Sequence, residues 1–303
     1  MSDPKSDSMS DPAAPIQGSS LQAFSRDLAG LVARAAPSVV AVRSHRHRAS
    51  GFVWRPGLVV TADEALAEEG EITVETADGA SLPATLAGRD PSTDVALLRV
   101  GRSDLPPAPL EPGAPAVGAL AVAVGLSDGA PTAALGLVSR VSGPWRSMRG
   151  GEIDARIELD LALRRSAEGG LALDPSGRAI GMAVFGPRRR VLVIPAATVA
   201  RVAPVLDASG RVPLGYLGLG LQAVRREDRG TGLMVMSVEP GGPGARADLR
   251  QGDVILAWNG EPVRGLQALQ GLLGPGSVGT VVRLALSRAG APHEAALTIG
   301  ERP

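Results

Sequence analysis

Cysteine is absent from this 303-residue chain, which excludes disulfides, thiolate metal sites and a cysteine nucleophile. Lysine is nearly absent: Lys5 is the single lysine among 31 basic residues, so Schiff-base chemistry on a folded lysine is nearly excluded too. Histidine occurs only at His45, His47 and His293. Neither sign of charge is in excess, because 31 acidic residues balance 31 basic ones. A neutral chain has no overall field to draw it to nucleic acid or anionic lipid. Long apolar runs are missing as well. The most apolar stretch, residues 114–126, contains two glycines and falls short of the ~20 residues that span a bilayer. Residues 1–20 are rich in Ser, Asp and Pro and lack the apolar segment of a secretory signal. Together these absences predict a soluble cytoplasmic protein with neither nucleic-acid nor membrane partners.

Glycine (39) and proline (25) are plentiful, which favours short strands joined by turns over long helices. At roughly 100–200 residues per domain, the length suits two domains. Residues 1–20 read as a disordered tail. Over 21–35, Phe24, Leu28, Leu31 and Val32 recur at helical spacing, and Pro37 ends the helix. The period then changes from 3.6 to two. Short apolar or β-branched runs follow at Val39-Val40-Ala41-Val42, Gly51-Phe52-Val53-Trp54, Leu58-Val59-Val60-Thr61, Ile72-Thr73-Val74-Glu75 and Val95-Ala96-Leu97-Leu98. More strands are expected at 116–125, 135–141, 156–160, 179–185 and 191–194. This spacing predicts a mainly β barrel or sandwich over 21–206, closed by a helix at 197–206. Residues 207–214 read as a linker, and 215–303 as a small α+β domain. Its strands are expected at 217–224, 232–238, 254–258 and 281–287, with helices at 244–249 and 265–273.

Three runs in the second unit carry a resemblance. They are Gly215-Tyr216-Leu217-Gly218-Leu219, Val238-Glu239-Pro240-Gly241-Gly242-Pro243, and Leu249-Arg250-Gln251-Gly252-Asp253-Val254-Ile255 with Asn259-Gly260 after it. The unit resembles a PDZ domain of the high-temperature-requirement (HtrA) protease family. The resemblance implies that backbone amides of the loop around Gly218 hold a peptide carboxylate, and that the next strand accepts an extended ligand. It assigns peptide binding to Tyr216, Leu217, Gly218, Leu219, Leu221, Leu266 and Leu269, with peptide or protein C-termini as partners. The aliphatic lining favours an apolar ligand terminus.

The first unit is similar to the trypsin-like, double antiparallel β-barrel protease domain of the same family. Ser50-Gly51-Phe52-Val53-Trp54 resembles the family's opening strand, and Leu58-Val59-Val60-Thr61-Ala62-Asp63-Glu64 the strand that delivers a catalytic histidine. Ser92-Thr93-Asp94-Val95-Ala96-Leu97-Leu98 resembles the segment with the catalytic aspartate. Ser166-Ala167-Glu168-Gly169-Gly170-Leu171 stands where a Gly-Asn-Ser-Gly-Gly-Pro nucleophile loop belongs. In that register Glu64 replaces the base, Glu168 replaces the nucleophile, and Asp94 alone is kept. A serine protease needs an attacking hydroxyl and an imidazole to take its proton. Removing either typically costs on the order of 10⁶ in kcat. The expectation is therefore a chain that is not an enzyme, with no catalytic residues at the degenerate positions Glu64, Asp94 and Glu168.

If the fold brings those acids together, three bare carboxylates repel one another and need relief. Arg164 and Arg165 are the expected counterions, and a hard cation on Glu64, Asp94 and Glu168 is a weaker option. No cofactor is otherwise expected. Gly218-Leu219-Gly220 lacks the strand–turn–helix context of a nucleotide fingerprint. His45 and His47 fall in an expected hairpin loop, and His293 near the end of the second unit. Pro187-Arg188-Arg189-Arg190 reads as a basic turn that could receive an acidic partner. The resemblance also implies a possible homotrimer through the 21–35 helix and Phe24. Three functions follow: a non-catalytic adaptor, scaffold or regulator binding peptides through its PDZ unit; an HtrA-type endopeptidase with a displaced catalytic group; or a structural subunit of a larger complex.

Overall fold

The computed structural model describes residues 20–225 and 230–302. The expected tail lies outside these except for Ser20, which begins helix α1 (Ser20–Ala35). Six strands follow: β1 (Val39–Ser44), β2 (His47–Arg55), β3 (Leu58–Thr61), β4 (Ile72–Thr76), β5 (Ser81–Asp90) and β6 (Val95–Val100). They close an antiparallel barrel in the order β1-β2-β3-β6-β5-β4. Six more, β7 (Leu120–Ser127), β8 (Ala130–Ser142), β9 (Arg156–Asp160), β10 (Leu171–Leu173), β11 (Ala179–Phe185) and β12 (Val191–Pro195), close a second one. Its order is β9-β12-β11-β10-β7-β8.

Strand β7 shows why its sequence is apolar almost throughout. Side chains alternate across a strand. Val122, Val124 and Leu126 join the core shared with the first barrel, while Ala121 and Ala123 point into the second barrel. With both faces dry, neither set alternates with polar residues. The narrow second barrel is filled by small residues such as Ala121, Ala123, Ala172 and Ala183, and the first by Phe52, Leu97 and Leu98.

Helix α2 (Ala196–Ser209) packs Val199, Val202, Ala203 and Leu206 into the shared core. It runs three residues beyond its expected end, into the segment read as linker. It stops at Gly210, whose left-handed φ of 73° lets its amide reach Leu206 O. The last unit has an antiparallel sheet in the order β13 (Leu219–Arg225), β14 (Thr231–Val238), β15 (Val254–Trp258), β16 (Val281–Arg288) and β17 (Ala291–Thr298). A short helix α3 (Pro243–Arg246) and helix α4 (Leu266–Leu272) complete it. Leu233, Val235, Ile255, Leu269, Leu284 and Leu297 form its separate core. Asp253, buried beside that core, accepts two bonds from Arg288, Nε to Oδ1 and Nη2 to Oδ2, each 2.8 Å.

The fold is mainly β, two closed barrels followed by a PDZ-type unit, as the sequence predicts. Three strands were not foreseen: β10, only three residues long, β5 and β17. β5 contains Pro83, two alanines and Gly88, and β17 contains Pro292 and three alanines, so intrinsic propensity argued against these two. Long-range pairing with β4 and β6, and with β16, decides them.

Candidate functional site

Strand β3 ends at Thr61 and the chain turns at once, Ala65 N donating to Ala62 O and Leu66 N to Asp63 O. That turn presents two acids in opposite directions. Asp63 is buried and takes Arg89 Nε at 2.6 Å, while Glu64 stays exposed at the cleft. Asp94 sits just before β6 in a left-handed conformation, φ 59°. Its backbone carbonyl accepts Asp63 N, and its Oδ1 accepts Glu64 N at 2.8 Å. Asp94 and Glu64 are thus clamped together main chain to side chain.

The third acid comes from the second barrel. Residues Arg165–Ala167 form a 3₁₀ turn, and Glu168 closes it by donating its amide to Arg165 O. Glu168 O then accepts Ser50 N at 2.7 Å from β2, and Glu168 Oε1 accepts Phe185 N at 3.3 Å from β11. Ser50 fixes the loop a second time. Its hydroxyl accepts Leu126 N at 2.9 Å and donates to Ser166 O at 2.6 Å. Gly169 lies so close to β2 that a Cβ there would meet Ser50 O at 2.3 Å, and its φ of +83° also requires glycine.

The three carboxyls are near enough to feel one another. Burial raises Asp94 to about 8, the charges of Glu64, Glu168 and Asp63 add to this, and the Glu64 amide opposes it. Burial also raises Glu168, with Glu64 adding, against the pull of the Phe185 amide and of Arg165 and Arg189. At neutral pH the pair therefore holds one protonated carboxyl, Asp94, beside an ionisable one.

Counterions differ from the expected ones. Glu64 pairs with Arg149 at 3.5 Å, and among the described residues neither Arg164 nor Arg165 forms an ion pair with the three acids. Arg165 acts on Glu168 only through its field. Among the described residues no three acidic or histidine side chains are placed to hold a cation, so Glu64, Asp94 and Glu168 are not a ligand set. His45 and His47 lie at the exposed turn between β1 and β2, and His293 on the exposed face of β17; none bonds to a site acid. Arg149, Arg89, Ser50 and Phe185 were missed. Each reaches the site from a distant segment, and no local pattern announces it.

The PDZ unit offers a second site. β13 is an edge strand, bonded to β14 on one side only, and α4 packs beside it. Gly218, φ +65°, turns the chain into β13. Leu217 O and Gly218 O accept the amides of Gly244 and Glu239, while the amides of Leu217 and Gly218 donate to no backbone carbonyl among the described residues. Leu219 and Leu221 are half-buried against that unit's core, and Leu266, at the start of α4, is exposed. Leu217 and Leu269 are instead core residues, 4% and 2% exposed, so they support the groove from beneath. The Tyr216 hydroxyl donates to Glu239, which raises its pKa.

Residues 49–182 match the family described as trypsin-like peptidase domain, and residues 234–288 match the PDZ domain family. The chain is 31% identical over 272 residues to a protein of Pseudomonas fulva (strain 12-X) named "Probable periplasmic serine endoprotease DegP-like". It is an HtrA-family protease homologue with one PDZ domain. The serine endoprotease from Yersinia pestis superposes with a TM-score of 0.73 at 26% identity, covering 90% of this chain and 97% of that one. The HtrA-type protease AlgW with a tripeptide superposes at 0.70 and 25% identity, covering 91% and 97%. The match to the Pseudomonas relative takes in 84% of this chain but only 56% of that protein, so the chain spans about half of its length.

Two expectations fall here. The expected cytoplasmic location is overturned by HtrA-family relatives named periplasmic. The expectation of a chain that is not an enzyme is overturned by relatives named serine endoproteases, which point to a protease.

Proposed function

We propose that this chain is a periplasmic, peptide-engaging protease homologue of the HtrA family. Its PDZ groove receives the C-terminus of an extended polypeptide, and its interbarrel cleft is a peptide channel. In this role it recruits or regulates protein partners. The observation that carries the reading is the open edge of β13 beside α4, entered through the Gly218 turn with its unengaged amides. An extended ligand adds there as a further strand, its carboxylate against those amides. Calorimetry with a peptide ending in an apolar residue tests it. The free acid should bind, its C-terminal amide should bind at least about tenfold more weakly, and Gly218→Val should abolish the difference. Equal affinity of acid and amide would sink the reading.

A second feature, the carboxyl pair, supports a hydrolytic route suited to these residues. Asp94 keeps a proton, and Oδ2 carries it because Oδ1 accepts the Glu64 amide. In its ionised form Glu168 takes a proton from water as the oxygen attacks the peptide carbonyl carbon. The carbon–nitrogen bond then breaks, and Asp94 gives its proton to the departing amine. Such a site would cleave peptides without labelling by a fluorophosphonate, and Asp94→Asn and Glu168→Gln would each stop it. Cleavage that survives both variants would exclude this route. Leu21 and Phe24, exposed on α1, support the proposed self-assembly through that helix.

A further inference from the structure

Glu168 feels acid from one side and base from the other: Glu64 on the first barrel, and Arg165 and Arg189 on the second, all act on its charge. The first-barrel wall is the segment after β3. Glu64, Glu68, Glu69 and Glu71 are all exposed there, and Arg149 is the only cation paired with any of them among the described residues. Glu64 and Glu68 border a cavity of about 690 Å³ with Asp63, Leu66, Arg89 and Arg149.

The second-barrel wall is basic. Arg165 accepts the Glu168 amide through its carbonyl, so its side chain emerges one turn from that acid. Phe185 donates its amide to Glu168 and carries the Arg189 guanidinium over its ring at 5.0 Å. Arg188 and Arg189 follow in consecutive left-handed conformations, φ 58° and 59°, which non-glycine residues adopt only against steric resistance. Arg165, Arg188 and Arg189 are exposed, and none forms an ion pair among the described residues. Behind them the single carboxylate of Glu158 is shared by Arg140, Arg156 and Arg190 at 3.8, 2.7 and 3.3 Å, so no acid there is left over for them. Three exposed cations without an ion-pair partner among the described residues, Arg188 and Arg189 in a strained turn and Arg165 beside Glu168, form a surface fitted to an anionic side chain.

We propose that the cleft selects polypeptide by charge order, an acidic segment lying against Arg165, Arg188 and Arg189 and a basic segment against Glu64 and Glu68. The proposal rests on the reading of the cleft as a peptide channel and names the substrate class of that channel.

Fluorescence anisotropy on the full chain tests it with C-terminally amidated peptides, which give the PDZ groove no carboxylate. One peptide carries four glutamates, a glycine spacer and four arginines in blocks; the other alternates the same residues. The blocked peptide should bind roughly tenfold more tightly, and high salt should erase the preference. Arg165→Gln/Arg188→Gln/Arg189→Gln should remove it, and Glu64→Gln/Glu68→Gln, on the opposite wall, should halve it or more without touching the strained turn. Equal binding of the two peptides, or a preference that survives both variants, would overturn the proposal. So would tighter binding of a single-stranded oligonucleotide than of the blocked peptide. A neutral peptide with a free apolar C-terminus reads the groove alone, so a failure of the groove is seen separately from a failure of charge order.

Discussion

Oδ1 of Asp94 accepts the backbone amide of Glu64 at 2.8 Å, so the acid whose pKa burial raises is steered by the main chain of a second acid. The two seats are therefore one device. Substituting either side chain leaves the amide in place, while a shift of the turn after β3 moves both.

Stability should depend on pH through Asp94. Its folded value, about 8, lies above the ordinary carboxylate value of ~3.9, so the folded state holds a proton that the unfolded chain releases between those limits. The contribution is complete below pH 4 and is lost as pH rises toward 8, by at most about 1.4 kcal/mol per unit. Asparagine keeps an acceptor for the Glu64 amide and has no proton to lose. Urea unfolding at pH 5, 6.5 and 8.5 should show the wild type weakening relative to Asp94→Asn. Parallel curves would place the proton elsewhere.

Ser50→Ala should lower stability by about 1–3 kcal/mol, because the buried Leu126 amide loses its acceptor at 2.9 Å. The same change frees Ser166 O, so limited proteolysis should cut the 164–168 segment faster than in wild type. A stable variant with an unchanged digest would show that the loop is fixed by Glu168 O alone.

In the PDZ unit, Asp253→Ala should cost about 3 kcal/mol. It leaves Arg288 with Asp248 as its remaining acid, and the partly exposed Arg288 side chain keeps the loss at the low end for a broken buried pair. The barrels have their own core, so calorimetry should show one transition shifting and the other holding. A shift of both would mean that the two units unfold together.

Arg149→Ala should change stability by less than about 0.5 kcal/mol, since Arg149 and Glu64 are both more than half exposed. A larger loss in thermal melts would mean that Arg149 acts through its contact with Pro91 O instead.

The barrels were legible because their strands announce themselves. Val39-Val40-Ala41-Val42 and Leu58-Val59-Val60-Thr61 have few alternatives to a buried strand. The acids at 64, 94 and 168 were legible through register against a family pattern, and the fold does bring them into one another's field. What pairs with them was not. Arg164 and Arg165 looked right because they are close in sequence, but neither forms an ion pair with the acids among the described residues, while Arg149, far along the chain, pairs with Glu64. Leu217 and Leu269 were assigned to the groove by motif position. Leu217, two residues before β13, and Leu269, on the inward face of α4, are both buried in the core instead.

The free edge of β13 has a neighbour on only one side, and α4 stands over the other. A strand belonging to a folded protein comes attached to its own sheet and would collide with that helix. A loose chain end arrives alone and fits. On the proposed reading, steric selection of this kind would need no particular sequence in the visitor, and the doorway would sort unravelled polypeptide from intact.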